Sequence, residues 1–108
     1  MNIKIGINPN SWTLDDVPEL KNFSTLEQCL TETKASGYAG TELGGIFPKT
    51  SAELQPLLAS HGLQLVGGWF DGRIFEREVE EEFELALPHL SLLRDGGACI
   101  ANKHVNIT

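Results

Sequence analysis

The chain has 108 residues and a mass of 11.8 kDa, the size of one small domain or of part of a larger one. Its 41% apolar residues argue against intrinsic disorder, although acidic residues outnumber basic ones fifteen to eight. The net charge of −7, without a cluster of Lys or Arg, disfavours nucleic acids and anionic membranes as partners.

The N-terminal sequence and the cysteines indicate the expected compartment. Residues 1–6 enter strand-like sequence directly, with no leader pattern, and no stretch reaches membrane-spanning length. Cys29 and Cys99 share no metal-binding or redox spacing. We therefore expect a soluble cytoplasmic chain whose two cysteines are small buried apolar residues.

The first half of the chain predicts two strands with a helix between them. Residues 3–7 alternate at period two and stop at a turn, which is followed by a polar loop over 11–23. A capping-box spacing at Ser24-x-x-Glu27 then predicts a helix that ends at Gly37. Residues 38–43 read as the second strand.

A second capping box and a third strand follow. Thr50-x-x-Glu53 predicts a helix that ends at Gly62, with Pro56 close to its first turn. Residues 63–69 are predicted as the third strand. Each predicted helix thus ends at a glycine that leads into an apolar strand.

The third helix is predicted from an apolar stripe at helical spacing, with Pro88 as a kink. Residues 98–101 read as a fourth strand, whereas 102–108 have no periodic pattern. The glutamates between 76 and 84 are interpreted as a solvated face. The stripe comprises Phe75, Val79, Phe83, Leu87 and Leu90.

The element order β-α-β-α-β-α-β predicts an α/β fold with parallel strands and outer helices. An open doubly wound sheet and a closed (β/α)8 barrel both fit this order. The first turn lacks G-x-G-x-x-G, which gives little support to a dinucleotide-binding sheet.

The run IGINPNSWTLDDVPEL at residues 5–20 resembles the opening of inosose dehydratases, lyases of myo-inositol catabolism. The G-x-x-G-x-E pattern from Gly37 to Glu42 is similar to the second strand of many xylose-isomerase-like enzymes and supports that superfamily alone. Further similar segments are EQC at 27–29, GYAGTELG at 37–44, FPK at 47–49, LL at 57–58, GGWF at 67–70 and LLRD at 92–95.

The resemblance implies a (β/α)8 barrel in which bound manganese or cobalt polarises the ketone of 2-keto-myo-inositol while a base removes the neighbouring proton and water leaves. A whole barrel takes about 250 residues, so residues 1–95 are expected to be its N-terminal part and 96–108 an atypical tail. The family's metal ligands come from its second half, and none is assigned here. Another xylose-isomerase-like isomerase or epimerase is the alternative enzyme, and an inactive truncated gene product is the alternative of another class.

Candidate substrate-binding residues are those expected at strand C-termini, where parallel barrels bind ligands. Glu42 closes the second strand and offers a carboxylate to a substrate hydroxyl, or else pairs with a local lysine or amide. Trp12 and Trp69 could cover the C–H face of a cyclitol, or pack within loops. Asn8 could bind a hydroxyl, although Asn before Pro is also ordinary turn chemistry. Lys49 could reach a substrate oxygen, or be an exposed lysine.

Other polar residues are given structural interpretations. Asp15 and Asp16 are read as loop carboxylates and not as a metal site. His61 and His89 are expected to be structural residues of helices, and His104 has no partner at ligand spacing. No catalytic residue is assigned.

The expected partners are a small-molecule cyclitol and other copies of the chain. Unpaired edges at the first and fourth strands would favour self-association. Ile5, Ile7, Leu65 and Val66 are expected to face the missing barrel interior and therefore to meet water.

Overall fold

In the described part of the chain, four parallel strands form one sheet whose spatial order follows the sequence, from β1 (Gly6–Ile7) through β2 (Gly40–Glu42) and β3 (Gln64–Gly72) to β4 (Ile100–Val105). The computed structural model describes residues 3–15, 17–20, 24–73, 75–98 and 100–105. Helices lie between the strands along the chain. The predicted α/β class and parallel pairing are confirmed, and the arrangement matches one arc of a (β/α)8 barrel.

The helices are α1 (Asn10–Thr13), α2 (Leu26–Ala35), α3 (Ser51–Ser60) and α4 (Val79–Asp95). The segment predicted as a loop over 11–23 instead holds most of α1 and a 3-10 helix, Pro18–Leu20. Both are single turns, too short for a periodic apolar pattern to reveal them. No helix among the described residues has the length and apolar character needed to cross a membrane.

Side-chain caps begin the two middle helices. Thr50 Oγ1 accepts from the amide of Glu53 at 3.4 Å, which confirms the predicted cap of α3. The cap of α2 is Thr25, whose Oγ1 accepts from Gln28 N at 3.1 Å, and not the predicted Ser24. Two neighbouring hydroxyl residues compete for this role, and the extended backbone at Thr25 decides between them.

Strand lengths differ from the predictions at both sheet edges. β1 covers two residues where five were predicted, and β4 continues to Val105 through residues predicted to lack structure. The pairing of Gly67–Gly72 with Ile100–Val105 explains this extension, because β3 is itself nine residues long and supplies a template for its neighbour.

The apolar core lies between the sheet and the helices. Leu65 is 5% exposed and belongs to it, so the expectation that Leu65 meets water is wrong. Val66, the extra residue where the register of β3 shifts against β2, lies near Gly6 and Gly40 instead. The core comprises Cys29, Leu30, Phe47, Leu54, Leu58, Leu63, Leu65, Leu92 and Leu93.

Helix α4 buries a different face from the predicted one. The apolar stripe is exposed, and Phe75 lies before the helix. The buried residues are Leu92, Leu93 and Glu82. Burial of Glu82 is tolerated because its carboxylate accepts from the guanidinium of Arg77 and the amide of Arg73, both at 3.1 Å. Sequence periodicity marked an apolar face without showing which face meets the sheet.

Candidate functional site

An open cavity of about 1100 Å³ lies at the C-terminal ends of the first three strands. Asn8 follows β1, Glu42 ends β2, and Trp69 and Asp71 lie near the end of β3. The loop after β2 adds Lys49 to the lining. The structure therefore brings four of the five predicted substrate-binding residues, Asn8, Glu42, Lys49 and Trp69, to one cavity.

In this cavity the Glu42 side chain, at the end of β2, contacts one residue that follows β1 and one residue of β3. Its Oε2 accepts a hydrogen bond from Asn8 Nδ2 at 2.7 Å and another from Trp69 Nε1 at 3.0 Å. A charged acceptor makes both bonds stronger than their neutral equivalents. The carboxylate thus fixes the amide of Asn8 and the indole of Trp69 relative to each other.

The loops after β1 and β2 are joined by a chain of polar contacts. Asn8 Oδ1 accepts from the amide of Asn10 at 2.9 Å, and Asn10 Oδ1 accepts from the amide of Asp15 at 3.1 Å. The Asp15 carboxylate in turn accepts from the amide of Gly45, at 3.2 and 3.1 Å. Asp15 therefore ties two loops together, while Asp16 lies outside the described residues.

Lys49 extends over the cavity wall from the loop after β2. Its Nζ donates to the carbonyl of Gly45 at 3.1 Å, and the residue is exposed to solvent. The ammonium can therefore exchange this carbonyl for a ligand oxygen without crossing the core. A contact with substrate stays a prediction for this residue.

Trp12 is not among the residues that line the cavity. Its ring packs against the apolar core, and its indole Nε1 donates to Glu32 Oε2 at 2.6 Å. These contacts join α1 to α2. A substrate contact by Trp12 stays a prediction that its position in the structure does not by itself support.

Two lining residues, Asp71 and His89, were not among the predicted site residues. Asp71 lies two residues after Trp69, so strand alternation places both on one face, a signal available in the sequence. His89 was interpreted as a structural residue of an outer helix. Its spacing of four residues before the core residue Leu93 marks the sheet-facing side of α4.

The environment of His89 favours a neutral imidazole. Burial lowers the pKa of His89, and the nearby Lys49 ammonium lowers it further, against the opposing effect of a hydrogen bond with the Gly68 carbonyl. Its Nε2 is buried and has no hydrogen-bond partner among the described residues. The cavity wall therefore contains an uncharged ring with an unused nitrogen.

His61 has the structural role that was expected. Its Nδ1 lies 3.0 Å from the Leu57 carbonyl and its Nε2 lies 3.4 Å from Glu27 Oε1. The Leu57 carbonyl is the main cause of its raised pKa, with a smaller contribution from Glu27. Burial raises the pKa of the Cys29 thiol, which is free and inside the core as predicted; Cys99 lies outside the described residues.

The part of the chain that the structure describes does not fit the divalent metal of the resembled family. It contains no group of three or more His, Cys, Asp or Glu side chains that could hold an ion. Glu42 Oε2 also accepts hydrogen bonds from two N–H donors. These donors stabilise the negative carboxylate and would oppose a metal cation bound to the same oxygen. We assign no metal ligand to these residues.

Comparison with known proteins finds relatives several times longer than this chain. The chain is 60% identical over 98 residues to the rhizopine catabolism protein MocC of Rhizobium meliloti, covering 91% of this chain and 30% of that protein. It is 36% identical over 96 residues to inosose dehydratase 1 of Bacillus cereus and to an inosose dehydratase of Bacillus thuringiensis, each match covering 89% of this chain and 32% of the relative.

The chain thus spans about a third of the length of these curated relatives and aligns with their N-terminal part. No protein-family model matches it. The predicted resemblance to inosose dehydratases is confirmed.

Proposed function

We propose that this chain supplies part of the substrate-binding surface of an enzyme that eliminates water from 2-keto-myo-inositol. The observation that carries the proposal is the meeting of Asn8, Glu42 and Trp69 at one carboxylate oxygen in an open polar cavity. The similarity to proteins named inosose dehydratase supports the choice of reaction.

The cavity offers the groups that a polyhydroxylated ring requires. Carboxylate oxygens of Glu42 accept hydrogen bonds from ligand hydroxyls, whereas the Asn8 amide and the Lys49 ammonium donate to ligand oxygens. Trp69 is 54% exposed and presents apolar ring surface to a C–H face. These residues bind and orient the ring, and none of them is assigned the proton transfer.

Binding groups alone do not carry out the elimination. Removal of a proton next to a ketone requires a base and stabilisation of the enolate charge. A divalent metal would supply that stabilisation in the resembled family, but the described residues do not fit one. We therefore propose that the 108-residue chain by itself does not dehydrate 2-keto-myo-inositol and binds manganese weakly.

The decisive experiment grafts residues 3–105 in place of the corresponding segment of an intact inosose dehydratase. We expect the graft, supplied with manganese or cobalt, to consume 2-keto-myo-inositol and release a dehydrated product, and Glu42→Gln to slow it severely. Glu84→Gln, at an exposed residue of α4 outside the cavity, is the matched control. A graft that instead isomerises or epimerises ketoses would replace the dehydratase proposal with the alternative enzyme class.

A second candidate role is in rhizopine catabolism. It is favoured by the 60% identity to the rhizopine catabolism protein, against 36% to the dehydratases. The same graft built on that relative can be offered a rhizopine and 2-keto-myo-inositol side by side. Consumption of the rhizopine alone would favour the second candidate.

A further inference from the structure

The imidazole of His89 is held closely against the sheet at the cavity wall. A Cβ atom on Gly68 would lie 3.1 Å from His89 Cε1 and 3.1 Å from Leu93 Cδ2, so the absence of a side chain at this point of β3 makes room for the ring. The Phe70 ring packs at a centroid distance of 6.0 Å, tilted by 36°. The imidazole therefore packs between helix α4 and strand β3.

The two ring nitrogens have different environments. The Gly68 carbonyl forms a hydrogen bond with the ring, whereas Nε2 has no partner among the described residues. Because Nε2 has no partner, the carbonyl is expected to meet Nδ1, and since a carbonyl only accepts, we expect Nδ1 to carry the proton. Nε2 is left with a lone pair that nothing in the described part of the chain uses.

We propose that His89 is a ligand-recognition residue of this cavity: its ring, whose Nε2 is buried before a ligand binds, turns toward the cavity and the Nε2 lone pair accepts a hydrogen bond from a hydroxyl group of a neutral polyol. A buried acceptor without a partner destabilises the fold, and a bound hydroxyl removes that cost. An ionised carboxylate carries no hydrogen to donate, so this position selects hydroxyl over carboxylate. The inference rests on the proposed function and adds a residue to it.

His89 complements the other lining groups in hydrogen-bonding character. Lys49 is a donor without acceptor capacity, and it lies close enough to His89 to lower the pKa of the ring. A hydroxyl can accept from the ammonium and donate to Nε2 at once, because it has both functions. A pair of neighbouring hydroxyls on a polyol ring would satisfy the same two groups separately.

The test is a nitrogen-15 NMR experiment on the full 108-residue chain with labelled histidine and tryptophan. Before any ligand is added, we expect the His89 ring at pH 7 to be neutral and protonated on Nδ1. Addition of myo-inositol, a stable neutral cyclitol, should then shift the His89 Nε2 resonance. The ring of His61, engaged by Leu57 and Glu27, is the internal control and should not move.

Variants separate recognition from a structural role. His89→Phe keeps a ring beside Phe70 without an acceptor, and we expect it to weaken myo-inositol binding about two- to tenfold while the melting temperature stays level or rises. His89→Gln, which restores an acceptor near the position of Nε2, should recover part of the affinity. A fall in melting temperature without a change in affinity would assign His89 a purely structural role.

The remaining outcomes distinguish the recognition role of His89 from the proposed function. A shift of the Trp69 indole resonance with no change at His89 would overturn the recognition role and leave the proposed function standing. No shift at either residue up to the solubility limit of myo-inositol would count against cyclitol binding by this cavity and overturn both. A His89 ring that is charged, or protonated on Nε2, overturns the inference before ligand is added.

Discussion

Trp69 reaches Glu42 diagonally across two parallel strands. The register places Glu42 opposite Gly67, and the indole of Trp69, two residues further along β3, donates to Glu42 Oε2 at 3.0 Å. A diagonal pair of this kind lies within the reach of a long aromatic side chain, so the sheet register itself sets the centre of the cavity.

Glu42→Gln should disturb this centre without unfolding the chain. The neutral amide replaces a charged acceptor, so the Trp69 indole N–H resonance should shift, and kcat/KM of the grafted enzyme should fall about ten- to hundredfold. The bonds are exposed, so the melting temperature should change little. A fall in kcat/KM that merely follows lost stability would show that Glu42 is structural.

Trp12→Phe should lower the stability of the chain and leave activity almost unchanged, the reverse of Glu42→Gln. The substitution retains a ring against the core but removes the indole donor to Glu32. We expect a lower melting temperature, an unchanged Trp69 resonance and little change in kcat/KM of the graft. A loss of kcat/KM at an unchanged melting temperature would instead support the substrate contact that the sequence predicts for Trp12.

His61 and His89 should give the stability of the chain opposite pH dependences. Burial lowers the pKa of His89, so its contribution is complete above its ordinary value of 6.5 and is lost as the pH falls below that value. The Leu57 carbonyl raises the pKa of His61, so its contribution is complete below 6.5 and is lost as the pH rises through the raised value.

Denaturant midpoints measured from about pH 5 to pH 8 check this pair of signs. Above about pH 5 most carboxylates are already ionised, so their titration interferes little. His89→Phe should flatten the curve below pH 6.5, and His61→Gln should flatten it above that value. If His89→Phe flattens the curve above pH 6.5, or His61→Gln flattens it below that value, the direction of the pKa shift given for that histidine is wrong.

The exposed stripe on α4 should promote self-association, which the sequence predicts through the sheet edges alone. Val79 is 79% and Phe83 58% exposed, and Leu87 and Leu90 continue the row. Sedimentation at increasing concentration should show association, and the double variant Phe83→Lys with Leu87→Lys should shift the chain toward monomer. A monomeric wild-type chain at all concentrations would contradict both routes.

Glu84→Lys is the control for this experiment, because it changes the net charge by as much as the double variant does while leaving the stripe intact. If the control and the double variant associate to the same extent, the stripe is excluded as the association surface, and the edges of β1 and β4 remain. Each of these strands has only one neighbour in the described sheet.

The sequence was sufficient for the order of the main elements and for most of the cavity. Strand ends and capping residues are local signals, so Glu42, Trp69 and the Thr50 cap could be found without a structure. The choice between Ser24 and Thr25 depends on the backbone conformation, which is extended at Thr25. The buried face of α4 could not be found, because a salt bridge lets Glu82 face inward while Phe83 is exposed. His89 lies on this same buried face of α4 and was therefore not predicted as a site residue.

The G-x-x-G-x-E pattern has a physical explanation that a substitution can test. Gly37 has φ +94° with open space around it, whereas a Cβ on Gly40 would lie 2.6 Å from the Gln64 carbonyl oxygen and 2.7 Å from Val66 Cγ1. The first glycine is required by its backbone conformation and the second by the approach of β3 to β2. Only the second lies in the strand that positions Glu42.

Gly40→Ala should therefore force β2 and β3 apart, destabilise the chain by about 1–3 kcal/mol and shift the Trp69 indole resonance by disturbing the Glu42 bond. Gly37→Ala should cost about 1–2 kcal/mol through its left-handed backbone but leave that resonance in place. Melting temperature and indole chemical shift, measured on both variants, separate the two effects. An unchanged indole shift in Gly40→Ala would mean that β2 absorbs the extra methyl group without moving Glu42, and that the register of the two strands does not depend on this glycine.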